Sequence, residues 1–396
     1  MSPPAPTPAP AGAGLVSLRL FNFRNYPELS LDLGPGLNVF VGENAQGKTN
    51  LLEAVATLLL TRSPRAGTAA ELLRWGTEEA AVDAVMVRGT LTESLTLRLR
   101  RIPEGDLPEE GGSHPRVTRV TARDGHPIAP RDLLGRWPVV LFWPDDLQLV
   151  KSGPEARRRL LDVLVSQLDR AAADELVRYR RVLEQRNSLL RRLHSLGSGD
   201  VDELRPFDEA LVLHGAGIQV ARTSLVRELA PLAAAALAEI SDSAESLELR
   251  YLPQSGRPSE ERELLMGTLR RSLERARAEE LARGTTVVGP HRDDLEFLLN
   301  GRSARSTASQ GQQRSAVLAT KIAEVRLVSA RSERLPLLLL DDVLSELDPP
   351  RRERLLGAVS GREGAPQTLV TCSEENAVGT HPGRRFVVER GCVTAR

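Results

Sequence analysis

The stretch LNVFVGENAQGKTNLLEAVATLLL, residues 37–60, constrains this chain more than any other. A continuous apolar run ends at Gly42, four residues separate it from Gly47-Lys48-Thr49, and an apolar helical pattern follows. A buried strand, a glycine-rich turn and a helix form the context in which G-x-x-x-x-G-K-T works as a phosphate loop. The glycines let backbone N–H groups wrap the phosphates, and the helix beginning there adds its positive end. Lys48 is expected to neutralise phosphate charge and Thr49 to offer its hydroxyl to Mg2+. Gly42, Glu43, Asn44, Ala45, Gln46, Gly47 and Asn50 complete the expected ATP cradle.

Such a loop requires a carboxylate at the end of a second buried strand. Residues 336–342, PLLLLDD, supply two. Asp341 is expected to face Mg2+, and Asp342 to orient or deprotonate the attacking water. Composition sharpens the reading of Lys48. Among 53 basic residues only Lys48, Lys151 and Lys321 are lysine, which leaves 50 arginines. A lysine that persists in so arginine-rich a chain marks a place where a compact ammonium is needed.

The 53 basic side chains are matched by 53 acidic ones, and zero net charge does not disfavour nucleic-acid binding, because a basic face can be offset elsewhere. With only Cys372 and Cys392 and no secretory signal, no disulfide framework is expected and a reducing cytoplasm is the natural home. The opening MSPPAPTPAPAGAG reads as a disordered tail. The strongest apolar run, LPLLLL at 335–340, is far short of the about 20 residues that a membrane span needs, so no membrane association is expected.

Periodicity organises the remainder. Residues 16–23, 29–33 and 37–42 read as strands, and further strands are expected between 80 and 128 around a loop at 102–116. From about Lys151 the period becomes helical: one or two helices over 156–196, a break at GSGD (197–200), and helix again over 206–241. A strand at 245–253 and a charged helix at 259–284 follow. Strands are expected within TTVVGPHRDDLEFLLNG (285–301), then a helix over 310–330, the PLLLLDD strand, a helix at 349–360, and strands at 367–371 and 384–393. The expected division is therefore a tail (1–14), an α/β head in two pieces (15–150 and 286–396) and a helical arm between them (151–285).

A third motif sets the class. Ser309-Gln310-Gly311-Gln312-Gln313, at an expected helix start, resembles the signature sequence of ABC-type ATPases. In that family the serine, a glycine and the helix N-terminus contact the γ-phosphate of ATP bound by a partner subunit, so ATP joins two heads. Ser345 to Asp348 (SELD) resembles the D-loop of the same family. The signature begins 267 residues after Gly42. Transporter ATPases carry a much shorter insertion there, whereas SMC-like DNA ATPases carry a helical arm. The fold class implied is an α/β ABC-type ATPase head with a phosphate loop and mixed sheets, split by an inserted helical arm.

Several stretches without generic ATPase meaning bring the chain close to the RecF family of bacterial DNA replication and repair proteins. They include NFRNY (22–26), ELLRWG (71–76), PDDLQLVKSGPEARRRLLD (144–162), YRRVLEQRNSLL (179–190), GPHRDD (289–294) and SQGQQR (309–314). The resemblance implies an ATP- and Mg2+-using DNA-binding protein of the cytoplasm that acts in recombinational repair, replication restart and the SOS response. It also implies a preference for gapped or single-strand/duplex junction DNA, an ATP-dependent homodimer, and help in loading RecA with RecO and RecR. Two departures stand out: FWPDD (142–146) where the family often has a small residue before proline, and VTCSEE (370–375) with no transporter-type switch histidine. Asp342, one methylene shorter than the glutamate of fast ABC ATPases, implies slow hydrolysis that releases the dimer.

Other candidates are less constrained by type. Gln148 is a candidate sensor of the γ-phosphate, and Arg24 and Tyr26 are candidates to lie against adenine. His291 and Arg292 are candidates for either a functional face or a structural turn. DNA contact is expected from arginines of the arm, namely Arg157, Arg158, Arg159, Arg178, Arg181, Arg191 and Arg192, through phosphate neutralisation. The rival readings are an ABC-type transport or translation ATPase, disfavoured by arm length and the missing histidine, and a non-enzymatic scaffold, disfavoured by the intact Lys48, Asp341 and Ser309.

Overall fold

The computed structural model describes residues 14–102, 117–196, 201–241, 245–359, 365–374 and 377–396. The expected N-terminal tail up to residue 13, the loop from 103 to 116 and the GSGD break lie outside the described residues. The chain opens with β1 (Gly14–Phe23) and β2 (Tyr26–Asp32), then β3 (Leu37–Val41), the glycine-rich turn and α1 (Lys48–Leu59). Next come β4 (Glu79–Arg88), β5 (Leu91–Arg101), β6 (Val117–Arg123) and β7 (His126–Ile128), the single turn α2 (Pro130–Leu133), and β8 (Val139–Phe142). Three helices follow: α3 (Pro154–Leu168), α4 (Arg170–Leu196) and α5 (Arg205–Ile240). The strand β9 (Leu247–Leu252) precedes α6 (Arg262–Arg283), β10 (Asp294–Leu299), β11 (Arg302–Ser303) and α7 (Ala304–Thr307). The chain ends with α8 (Gln310–Ser332), β12 (Leu337–Asp341), α9 (Pro349–Val359), β13 (Thr368–Cys372), β14 (Gly383–Glu389) and β15 (Cys392–Ala395).

Residues up to Pro144 together with Val328–Arg396 make one unit, and Asp145–Leu327 make the other. The first unit holds two six-stranded sheets. One is antiparallel, in the order β2-β1-β4-β5-β6-β7, and its strands alternate buried and exposed residues, as β5 does from Ser94 to Arg100. The other has the order β15-β14-β3-β13-β12-β8. In this second sheet β14, β3, β13, β12 and β8 run parallel, and the apolar runs of β3, β8, β12 and β13 are almost wholly buried. Continuous rather than alternating hydrophobicity is what a sheet covered on both faces demands.

The second unit is built on α3, α4, α5 and α6 with the small sheet β11-β10-β9. Val212 and Ala216 of α5 pack on Leu265, Leu269 and Leu273 of α6, while Tyr179 of α4 packs on Leu211 and Ile218. A fully buried arginine, Arg186, sits in this helical packing. It is bonded to Asp208 at 2.8 Å, Glu280 at 2.7 Å and the Thr286 hydroxyl at 2.8 Å. Such pairing is what this position requires, because an unpaired buried guanidinium is prohibitively costly.

Two expected strands turn out differently. TTVV (285–288) is not a strand: its amides are taken by side chains, Thr286 N by Asn187 Oδ1 (2.8 Å) and Val287 N by Glu280 Oε1 (2.9 Å). Residues 384–393 are not one strand but the end of β14, a two-residue turn and the start of β15, because Arg390 and Gly391 both take positive φ (50° and 75°). Two consecutive left-handed residues reverse the chain in the sense that a hairpin requires.

Candidate nucleotide site

Parallel strands put their C-terminal ends on one edge, and three of them meet at the phosphate loop. Asp341 ends β12 in register with Thr371 of β13, and Thr371 is in register with Phe40 of β3, two residues before Gly42. The Thr49 hydroxyl then donates to Asp341 Oδ1 at 3.0 Å across 292 residues of sequence. The two expected oxygen donors for Mg2+ are thus adjacent. Burial pushes the Asp341 carboxyl up from its ordinary range, while hydrogen bonds from Thr371 and Thr49 oppose the shift. A carboxylate held in so unfavourable a place would be stabilised by a divalent cation, so these donors fit one.

Residues Gly42 to Thr49 form the loop and the first turn of α1. Gly47 takes φ 114°, a conformation that L side chains rarely adopt, and a Cβ there would lie 2.5 Å from Asn25 Nδ2. The α1 first turn contains no acidic residue, so its positive end is left for an anion. Lys48 is buried, and its ammonium folds back to donate to the carbonyls of Gly42 and Glu43. Lys321, another of the three lysines, is also buried and pairs with Asp146 at 3.2 Å and Glu324 at 3.1 Å, whereas Lys151 is exposed. Two of the three thus occupy sites where an ammonium has fixed partners.

The twin aspartates are held by one hydroxyl that the sequence did not single out. Thr371 Oγ1 donates to Asp341 Oδ1 at 2.8 Å and accepts from Asp342 N at 2.9 Å. Asp342 itself takes φ 49°, and Ser345 Oγ donates to its carbonyl at 2.6 Å and its Oδ1 at 3.1 Å. Ser345, named from the D-loop resemblance, therefore braces Asp342. Asp348 caps α9 by accepting from Arg351 N at 2.9 Å.

Tyr26 is corrected. It is fully buried, with its hydroxyl donating to the Gly47 carbonyl at 3.0 Å, so it offers no ring face to adenine and instead supports the loop. Arg24 donates twice to the buried Glu53 of α1, at 2.9 Å each, which commits its guanidinium to that helix. Glu53 and Asn25, which bridges Gln46 O (3.1 Å) and Asn50 Nδ2 (2.8 Å), were likewise missed as loop supports. The signal for Asn25 was present only in the NFRNY stretch, where asparagine and arginine follow a strand end.

In the other unit, Ser309 and Gln312 cap α8 reciprocally: Ser309 N donates to Gln312 Oε1 at 2.8 Å, and Gln312 N to Ser309 Oγ at 3.3 Å. Gln310 is exposed at this helix start, next to Gly311, and Gln313 is buried with its amide on the Ala304 and Ala308 carbonyls. Gln148 ends a short turn whose last carbonyl accepts from Lys151 N and Ser152 N.

The arm arginines divide. Arg157 is buried and bonded to Asp294 (2.7 and 3.0 Å) and to the Leu149 and Ser152 carbonyls, so it is corrected from a DNA contact to a structural tie. Arg158 is half-buried on the Asp293 carbonyl. Arg159, Arg178, Arg181, Arg191 and Arg192 are exposed, with Arg159 near Glu155 and Arg192 on Glu203. GPHRDD is a structural turn. Buried Asp293 accepts from Tyr251, Gln254 N (2.8 Å) and Gln219, and is paired with Arg222. Desolvation lowers His291 from 6.5 to about 4, with Arg292, Arg158 and Arg186 adding to the effect.

A phosphate loop, a buried strand-end aspartate and an α/β core interrupted by a helical insertion define an ABC-type ATPase head. The AAA domain family AAA_23 matches residues 17–101. A protein of Symbiobacterium thermophilum named DNA replication and repair protein RecF is 43% identical over 91% of this chain and 91% of its own. Two solved structures, of the recombination mediator protein RecF with ATP and with ATPrS in the RecFOR pathway, match with TM-score 0.83 and 31% identity over 98% of this chain. They are themselves covered to 98% and 99%. An Smc head bound to the C-winged helix domain of ScpA shares the fold at TM-score 0.52 and 14% identity, covering 96% of each chain. The chain belongs to the RecF family.

Proposed function

We propose that this protein is an ATP-dependent, DNA-binding recombination mediator in which ATP closes a homodimer and slow hydrolysis reopens it. The observation that carries the reading is the Thr49–Asp341 contact at the mouth of a glycine-rich loop, in a chain of the RecF family. Lys48 and the loop amides would hold the triphosphate. Thr49 and Asp341 would hold Mg2+, which would supply neutralisation of phosphate charge. Asp342 would orient or deprotonate the attacking water, with Gln148 sensing the γ-phosphate. Ser309 to Gln313 would close on ATP held by the second copy.

DNA would lie against exposed arginines of the arm, and gapped or single-strand/duplex junctions are the proposed targets. With RecO and RecR as partners, the bound dimer would help to load RecA in the cytoplasm. Filter binding with gapped duplex tests the core of this reading. Wild type should retain more DNA with ATP than without, Lys48→Met should lose that difference, and retention should fall as salt rises. ATP-independent retention equal in both proteins would contradict it.

A further inference from the structure

The phosphate loop is gripped from behind by the last strands of the chain. Gln46, the residue before Gly47, is held three times. Arg390 N donates to its side-chain Oε1 at 2.7 Å, and Gly391 N and Asn25 Nδ2 donate to its carbonyl at 3.1 Å each. Arg390 and Gly391 are the two residues of the β14–β15 turn. Gly391 takes φ 75°, and a Cβ on it would lie 2.7 Å from the Asn25 carbonyl, so no other residue fits this approach without displacement. The other end of the loop meets the same hairpin: a Cβ on Gly42 would lie 2.2 Å from the Val388 carbonyl.

This grip has a physical purpose. Ala45 and Gly47 flank Gln46 with φ 67° and 114°, both left-handed, so the loop is held in a strained conformation that L side chains rarely adopt. Three hydrogen bonds on the residue between them fix the strained peptides before any anion arrives, which reduces the ordering cost of binding. The Gln46 amide oxygen is turned to the hairpin, although its place in G-x-x-x-x-G-K-T suggests a phosphate neighbour.

We propose that the C-terminal hairpin is a working part of the nucleotide site, and that Gln46 is a positioning residue which transmits the hairpin's hold to the phosphate loop. The proposal rests on the nucleotide-site reading above. It implies that anything displacing the β14–β15 turn weakens ATP binding without touching a phosphate contact.

The test is ATP–Mg2+ titration by calorimetry with steady-state hydrolysis, on wild type, Gln46→Leu, Gly391→Val and the double variant. Gln46→Leu removes one acceptor from a partly exposed position, and loss of one such bond corresponds to roughly tenfold weaker affinity. KM for ATP should rise by more than kcat falls, a split that a general loss of structure would not give. Gly391→Val should weaken affinity similarly, and the double variant should be no worse than the weaker single, because both act through one clamp. Unchanged affinity in Gln46→Leu, or fully additive losses of roughly a hundredfold, would overturn the proposal.

Should Gly391→Val not fold, the cysteines give a second readout. Cys392 is exposed directly after the turn and Cys372 is buried, so a thiol reagent reports on the hairpin. At an ATP concentration near the wild-type Kd, ATP should slow labelling of Cys392 more in wild type than in Gln46→Leu, and equal protection in both would overturn the clamp. Lys48→Met separates the two levels. Normal ATP affinity in that variant would refute the nucleotide-site reading itself, whereas loss of affinity there with an unaffected Gln46→Leu would refute only the clamp.

Discussion

A hydroxyl at position 371 decides how the two aspartates face the loop, because it donates to Asp341 and accepts from the amide of Asp342. Thr371→Val keeps the shape and removes both bonds, so hydrolysis should fall roughly 10–100-fold while Thr371→Ser stays near wild type. Single-turnover kinetics at saturating ATP checks this. His291 gives a residue-scale test in pH. Its imidazole accepts from the Tyr179 hydroxyl (2.7 Å) and holds Thr286 O at 3.2 Å, and burial lowers it to about 4. The unfolded chain therefore binds a proton between about 6.5 and 4 that the folded chain refuses, and stability falls as pH drops through that window. Wild type should lose roughly 2 kcal/mol more than His291→Phe between pH 6.5 and 4.5 in urea titrations. Lys48, Thr49 and Asp341 were legible because their chemistry admits few residue types. Thr371 and Asn25 were not, since many polar residues can brace a loop and their contacts join segments far apart in sequence.

At the scale of elements, successive positions on a helix point about 100° apart. Arg157, Arg158 and Arg159 are alike in sequence, yet α3 turns the first inward to Asp294 and the last outward. Arg157→Ala should therefore destabilise the fold by roughly 3 kcal/mol, read as a lower denaturant midpoint, by leaving buried groups unpaired. Arg178→Glu with Arg181→Glu, on the exposed side of α4, should instead leave stability nearly unchanged and weaken gapped-duplex binding with a shallower salt dependence. The strand–loop–helix unit and the long helices were readable because their apolar periods are long. The β14–β15 turn was missed because Arg390-Gly391 sits inside a run that otherwise reads as one strand, and the TTVV stretch because its β-branched residues are tied by side chains of α4 and α6.

For the whole molecule, the proposed function requires that one chain's loop be completed by another chain's Ser309. The loop and twin aspartates lie in one compact unit and the capped start of α8 in the other. Membership of the RecF family was legible in scattered stretches such as NFRNY and GPHRDD, although the second of these proved to be a structural turn around Asp293. Mixing two inactive variants tests the claim most directly. Ser309→Arg and Lys48→Met should each be devoid of DNA-dependent ATP hydrolysis alone. In a mixed dimer the intact loop of the first faces the intact serine of the second, so the mixture should regain roughly a quarter of wild-type hydrolysis. A mixture as inactive as its two parents would contradict a site shared between subunits.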